Sequence, residues 1–597
     1  MKDNRQFSAG LGATLGADGT TFRVWAPNAD AVFVTGDFNE WSEDATPMEG
    51  EDDGYWRADV QGAGAGSEYR YRIVRGEEAV SRIDPYARAV TNSVGNAIVH
   101  DPAFDWGEDA SPMPDWNRLV IYELHIGTFN REEDDAIGSF GDAIAKFDQL
   151  KRLGINAIQI MPVQEFAGDL SWGYNPAHIF AVETAYGGPD ALKSFVREAH
   201  SQGFAVILDV VYNHFGPSDL DLWQFDGWSE NDKGGIYFYQ DHRSDTPWGD
   251  TRPDYGRDEV RGLIRDNALY WLEEFHIDGL RFDMTLYIRT ITGDEGSEDD
   301  ALPEGWSLMQ WLNDEIATAH PGRITIAEDL REKDAITAPT GDGGAGFGAQ
   351  WDAAFVHPVR AVLTAEEDHD RDMSAIEGAL THSYNGDAFS RVIYTESHDE
   401  VANGRARVPH EIDGEGHAGW AAQKLSTLGA ALVMTAPGIP MMFQGQEFLQ
   451  GGWFDDSVPL DWDLSEEFRG IARLWRDLIA LRLDRAGDAG GLAGHGVEIV
   501  HLDHEGKTIA YLRRAEGAEG EVLVVMNFAA QAREGLTVGL PEGGQWRLRL
   551  NTDWEGYSPD FGNHAAADLE VQEGEHDGRP YHAGLSIGGY TALIYTR

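Results

Sequence analysis

"DGLRFDMTL", residues 278–286, is an apolar strand broken by a cation and an anion two residues apart. Period-2 alternation puts Arg281 and Asp283 on one face and Leu280 and Phe282 on the other. Either the charges form an internal ion pair with a purely structural role, or a guanidinium holds an active-site carboxylate. The fold that receives this strand decides between them.

Around it, apolar strands alternate with amphipathic helices. "LVIYELHIGTF", "NAIQIMPV", "FAVILDVVYNH", "IDGLRFDM", "RITIAED", "SRVIYTESHDE" and "GIPMMFQGQEF" read as strands, and "GAQWDAAFV" near 348–356 supplies an eighth. "GDAIAKFDQLKRLG" and "GPDALKSFVREAHSQG" have helical spacing. Strand–helix repetition over some 370 residues calls for a parallel sheet closed as a (β/α)₈ TIM barrel, an α/β fold. Residues 1–105 ("TTFRVWAP", "GYWRADV", "SEYRYRIV") have the texture of an N-terminal β-sandwich. Residues 106–488 carry the barrel, with a long aromatic insertion at about 215–256 expected over its C-terminal face. Residues 489–597 return to β patterning ("GVEIVHLD", "EVLVVMNFA", "YTALIYT") as a C-terminal all-β domain.

Composition narrows the partners. In 597 residues, 103 acidic against 46 basic side chains leave a formal charge of −57, spread along the chain. Such a surface repels nucleic acid and anionic membranes and suits a neutral ligand or a saline medium. With 42% apolar residues the chain can bury a large core, and with no cysteine it can form neither disulfides nor thiolate metal sites. No apolar run approaches 18 residues and the first residues lack a signal-peptide core, so the expectation is a soluble, cytoplasmic protein.

Polar residues collect at the strand ends: Asp209, Asn213 and His214 on the third, Arg281 and Asp283 on the fourth, Glu328 and Asp329 on the fifth. Glu396, His398, Asp399 and Glu400 follow the seventh. Clustered carboxylates repel one another and are costly to desolvate, so four such ends at one barrel mouth imply chemistry. Glycoside cleavage needs two carboxyls with separated pKa values, one ionised and one protonated. Arg281 would keep Asp283 ionised as nucleophile, and carboxylate neighbours would raise Glu328 for proton donation. Asp399 would stabilise oxocarbenium charge or grip hydroxyls.

"DVVYNH", "GLRFD", "AED" and "ESHDE", in this order, resemble the four signature regions of the α-amylase family, glycoside hydrolase family 13. The resemblance spans nearly the whole chain. It implies Asp283 as nucleophile, Glu328 as acid/base and Asp399 as transition-state stabiliser. It also implies Asp209, His214, Arg281 and His398 at subsite −1, and Tyr174 of "SWGYNP" stacking on the sugar there. Within the family, "VIYELHIGTF", "SHDEV" and "FQGQEF…PLDWDL" are similar to 1,4-α-glucan branching enzymes, and "FRVWAPNADAVFVTGDFNEW" looks like the starch-binding-type sandwich that precedes their barrel, with Trp25 and Trp41 as either sugar platforms or sandwich core. "AEDLREKDAIT" and "GFGAQWDAAF" look closer to malto-oligosyltrehalose trehalohydrolases, while "DMTLYIRT" matches neither group. The implied substrate is an α-glucan, cleaved with transfer to a 6-hydroxyl, with trehalohydrolysis or another amylolytic reaction as alternatives. A non-catalytic glucan-binding scaffold would lack one of the three carboxylates. No cofactor is expected. Asn213 stands where many family members place a Ca²⁺ ligand, although branching enzymes generally manage without a metal.

Overall fold

Eight short strands close into a parallel barrel in the computed structural model, which describes residues 10–131, 137–414, 418–517 and 520–597. They are β1 (Ile121–Leu124), β2 (Ala157–Ile160), β3 (Ala205–Val210), β4 (Gly279–Phe282), β5 (Ile324–Ala327), β6 (Ala349–Trp351), β7 (Arg391–Ile393) and β8 (Ile439–Phe443). Each pairs in parallel with the next, and β8 returns to β1.

Alternation sorts the strand residues into two apolar sets. Ile121, Ala157, Ala205, Ile207, Ile324, Ile326, Ala349, Trp351, Val392, Ile439 and Met441 form one cluster that fills the barrel. Tyr122, Leu124, Ile158, Ile160, Leu208, Val210, Leu280 and Phe282 belong to the surrounding core shared with the helices. Leu280 and Phe282 therefore face outward, as the alternation predicts, and Arg281 lies inward beside Asp209 in the β3–β4 register.

Local sequence explains the helices between the strands. The helix Gly188–Gln202 starts with Pro189 in its first turn, where no N–H is needed, and stops at Gly203, whose φ of 87° suits a glycine cap. Leu192, Phe195, Val196 and Ala199 recur at helical spacing and are its buried face.

Two flanking β units complete the architecture. The N-terminal one packs a sheet of Gly12–Leu15, Gly19–Trp25, Glu49–Gly50 and Tyr55–Gln61 with a second of Ala31–Gly36, Glu68–Arg75, Glu78–Arg82 and Ala97–Ile98. The C-terminal one has a six-stranded and a three-stranded sheet. Among the described residues, no helix is long and apolar enough to cross a membrane.

The insertion after β3 is held from two sides. Toward the barrel, Trp248 stacks on His214 with ring centroids 4.7 Å apart and planes 12° from parallel. Toward the N-terminal sandwich, Asp221 accepts from Arg70 (2.7 Å) and from the Ile83 N–H (2.6 Å), and Asp226 accepts from Asn28 (2.9 Å). Trp25 lies in this seam, 6% exposed and edge-on to Tyr237. Its reading as a sugar platform is thereby corrected: a ring packed into an interdomain seam has no free face. Trp41 is 40% exposed, and its ring stands on the surface.

Candidate active site

The mouth of the barrel is organised around one guanidinium. Arg281 is fully buried, and its Nη1 donates to Asp209 Oδ2 (2.6 Å) and Asp283 Oδ1 (3.1 Å). Nη2 lies 2.7 Å from Glu328 Oε2, close enough for ion pairing but without hydrogen-bond alignment. Three carboxyls from β3, the end of β4 and the end of β5 thus share one cation, which is why a strand interior tolerates them.

The remaining groups fix these carboxyls in place. Asn213 donates its side-chain amide to Asp283 Oδ2 (2.7 Å) and to the Asp283 carbonyl (3.0 Å). The Met284 N–H donates to Glu328 Oε2 (2.9 Å). Tyr174 donates its hydroxyl to Asp209 Oδ2 (2.6 Å) and stacks on His398 at 5.1 Å. His214 meets the Tyr174 carbonyl through Nε2 (2.7 Å). Asp399 accepts from Asn403 (3.0 Å), and its charge is among those acting on Glu328. Asp283, Glu328, Asp209, Arg281, Tyr174, His214 and His398 are thus linked by direct contacts, and Asp399 acts on Glu328 through its charge.

Electrostatics separates the two central carboxyls. Burial pushes Asp283 up to about 6; Arg281 opposes that rise and Asp209 adds to it. Burial pushes Glu328 further, to about 8, with Asp283 and Asp399 reinforcing it against Arg281. Asp209 rises to about 6 through burial, again opposed by Arg281. Arg281 therefore offsets burial rather than overriding it. Of the two, Glu328 is thereby the more readily protonated and Asp283 the more readily ionised.

Glu123 on β1 was missed in the sequence. It is fully buried and accepts from both the backbone N–H (3.0 Å) and Nδ1 (2.8 Å) of His398. Burial alone would depress His398, but Glu123, with Asp399, raises it to about 9. The signal was present: period 2 in "IYEL" puts Glu123 inward with Ile121.

Three other strand-end acids do not join the site. Asp329 is clamped by Arg289 (2.8 and 2.7 Å), Glu396 accepts from the Val408 N–H (2.7 Å), and Glu400 pairs with His357 (2.9 Å). Asn213 spends its amide on Asp283. Among the described residues, no three His, Asp or Glu side chains gather in a way that could hold a metal ion.

A parallel (β/α)₈ barrel whose mouth carries paired carboxyls on a shared arginine defines a glycosidase-type enzyme. Sequence comparison extends this. The α-amylase catalytic domain matches residues 124–233 and 217–461, carbohydrate-binding module 48 (isoamylase N-terminal domain) matches 10–87, and the α-amylase C-terminal all-β domain matches 499–597. The 1,4-α-glucan branching enzyme GlgB of Mesorhizobium japonicum is 32% identical over 91% of this chain and 75% of its own. That of Salinibacter ruber is 30% identical over 98% and 96%. The chain belongs to the α-amylase family, glycoside hydrolase family 13, and is branching-enzyme-like. Among solved structures, the pullulanase type I of Bacillus subtilis complexed with maltose superposes with a TM-score of 0.76. It covers 99% of this chain and 86% of that one at 22% identity, a likeness of fold.

Proposed function

We propose that this enzyme is a retaining 1,4-α-glucan branching enzyme, with Asp283 as nucleophile and Glu328 as acid/base. The observation that carries the chemistry is the single Arg281 guanidinium touching both carboxyls, which titrate apart around neutrality. One small cation in contact with both suits the spacing of about 5–5.5 Å that retention requires. The branching specificity draws its support from the GlgB relatives.

Asp283 attacks the anomeric carbon of an α-1,4-linked glucosyl unit while Glu328 gives its proton to the departing 4-oxygen. The glycosyl–Asp283 ester then reacts with the 6-hydroxyl of a glucan chain. Glu328, now a carboxylate, takes that hydroxyl's proton, and the Asp283 carboxylate is released. Tyr174 offers a ring to the sugar face, and the buried Asp209 anchors the Tyr174 hydroxyl and Arg281 beneath it. Protonated His398 donates to another hydroxyl and offsets carboxylate repulsion. Asp399 faces the developing positive charge.

Incubation with amylose, following iodine colour, reducing ends and α-1,6 linkages together, tests the specificity. Branching gives colour loss and new α-1,6 bonds with few new reducing ends. Abundant reducing ends without α-1,6 bonds reject it in favour of hydrolysis, and release of trehalose from maltooligosyl-trehalose would support trehalohydrolysis.

A further inference from the structure

Carboxyls meet the Arg281 guanidinium at Nη1 and Nη2, which leaves its faces. One is met by Trp351, the last residue of β6, with the Arg281 Cζ 4.2 Å from the indole centroid. That ring is 1% exposed and sits in the barrel-filling cluster, 5.1 Å from the Tyr394 ring and 6.0 Å from the His398 ring. Its backbone is fixed on both sides. Trp351 pairs with Val392 in the β6–β7 ladder, and Asp352 caps the next helix and holds Arg391 at 2.9 Å. The indole is thus a rigid shelf.

Arg281 needs such a shelf. Its Nε has no hydrogen-bond partner and its Nη2 meets Glu328 off-axis, so in-plane bonds alone leave the guanidinium free to tilt. An aromatic face favours a cation lying over it and keeps water from it, which strengthens each ion pair the cation makes.

We propose that Trp351 is a positioning residue: its indole face sets the plane of Arg281, and through Arg281 the placement and charge of Asp283 and Glu328. This rests on the proposed roles of those two carboxyls. The titratable groups around Arg281 are Asp209 on β3, Asp283 after β4, Glu328 after β5, Tyr174 after β2, and Tyr394 and His398 after β7. If the guanidinium tilts away, Asp283 and Glu328 both lose their cation, and both titrate at higher pH.

The test measures kcat/KM against pH for the full-length enzyme and its Trp351→Leu and Trp351→Phe variants, with melting temperature as the control for folding. Trp351→Leu, which removes the π face, should lower kcat/KM on the order of tenfold to a hundredfold, the scale of a small misplacement of catalytic groups. Both limbs of the profile should move to higher pH. Trp351→Phe should restore the limbs and most of the rate. Where the leucine variant does not fold, Trp351→Met, whose flexible chain adapts to the gap without supplying a π face, is read the same way. A folded variant lacking the π face overturns the proposal if its limbs do not move, whether its rate is unchanged or reduced. Asp283→Asn is run alongside: if it retains turnover, the assignment of the nucleophile fails. If it is inactive while the Trp351 limbs stay fixed, only the inference about Trp351 fails.

Discussion

Glu123 and His398 form a fully buried pair across the barrel mouth, the carboxylate accepting both the backbone N–H and Nδ1 of the histidine at 3.0 and 2.8 Å. The bidentate grip fixes the ring, leaves Nε2 for a ligand, and raises the imidazole from 6.5 to about 9. Because the folded value is raised, the stabilisation is complete below about pH 6.5 and fades as pH rises through about 9. Glu123→Gln should therefore cost on the order of 3 kcal/mol near pH 6 and much less above pH 9. Denaturant unfolding of both proteins at the two pH values checks this; a destabilisation that is the same at each would remove the charge from the explanation.

The separation of Asp283 and Glu328 predicts a bell-shaped kcat/KM profile with limbs near 6 and near 8, which belong to the coupled carboxyls as a set. Glu328→Gln should erase the alkaline limb. It should also slow cleavage of glucans about 10²–10⁴-fold while sparing substrates whose leaving group needs no proton. An alkaline limb that persists in the variant would assign it to another group.

Asp221 ties the N-terminal sandwich to the insertion that carries Trp248. Asp221→Ala leaves the Ile83 N–H and Arg70 without their acceptor in a half-buried seam, at a cost of about 1–3 kcal/mol. Calorimetry should show that loss, with Asp221→Asn in between. An unchanged melting temperature would mean that the seam is held by its other contacts.

A net charge of −57 makes the folded chain repel itself. Screening grows as the Debye length falls from about 30 Å at 0.01 M salt to about 3 Å at 1 M. Melting temperature should therefore rise across that range. A steady decline in both stability and activity would argue against a surface adapted to salt.

Most of the barrel was legible because seven strands are continuous apolar runs between amphipathic helices. The sixth was faint for a physical reason: only Ala349–Trp351 enter the ladder before Asp352 caps a helix. The site was legible wherever period 2 still governed direction, as for Asp209 and Arg281. One residue past the ladder it still held, as for Asp283 and Glu328, and it failed for two acids farther on. Glu396 and Glu400 lie beyond Ile393, where turns rather than pleats aim the side chains, and they face arginines and His357 instead of the mouth. Glu123 was hidden by being one acid in an apolar run. Alternation in a sandwich strand says which face a tryptophan takes and not what packs on that face, so Trp25 was open until Tyr237 appeared against it.

The central claim is a covalent glycosyl–enzyme at Asp283, formed with help from Glu328. A fluorinated maltooligosyl fluoride, whose electron-poor sugar slows breakdown of the ester, should accumulate that intermediate. Peptide mass spectrometry should then place one maltooligosyl adduct on Asp283 and none in Asp283→Asn. Labelling of a different carboxyl, or full turnover by Asp283→Asn, would contradict the account.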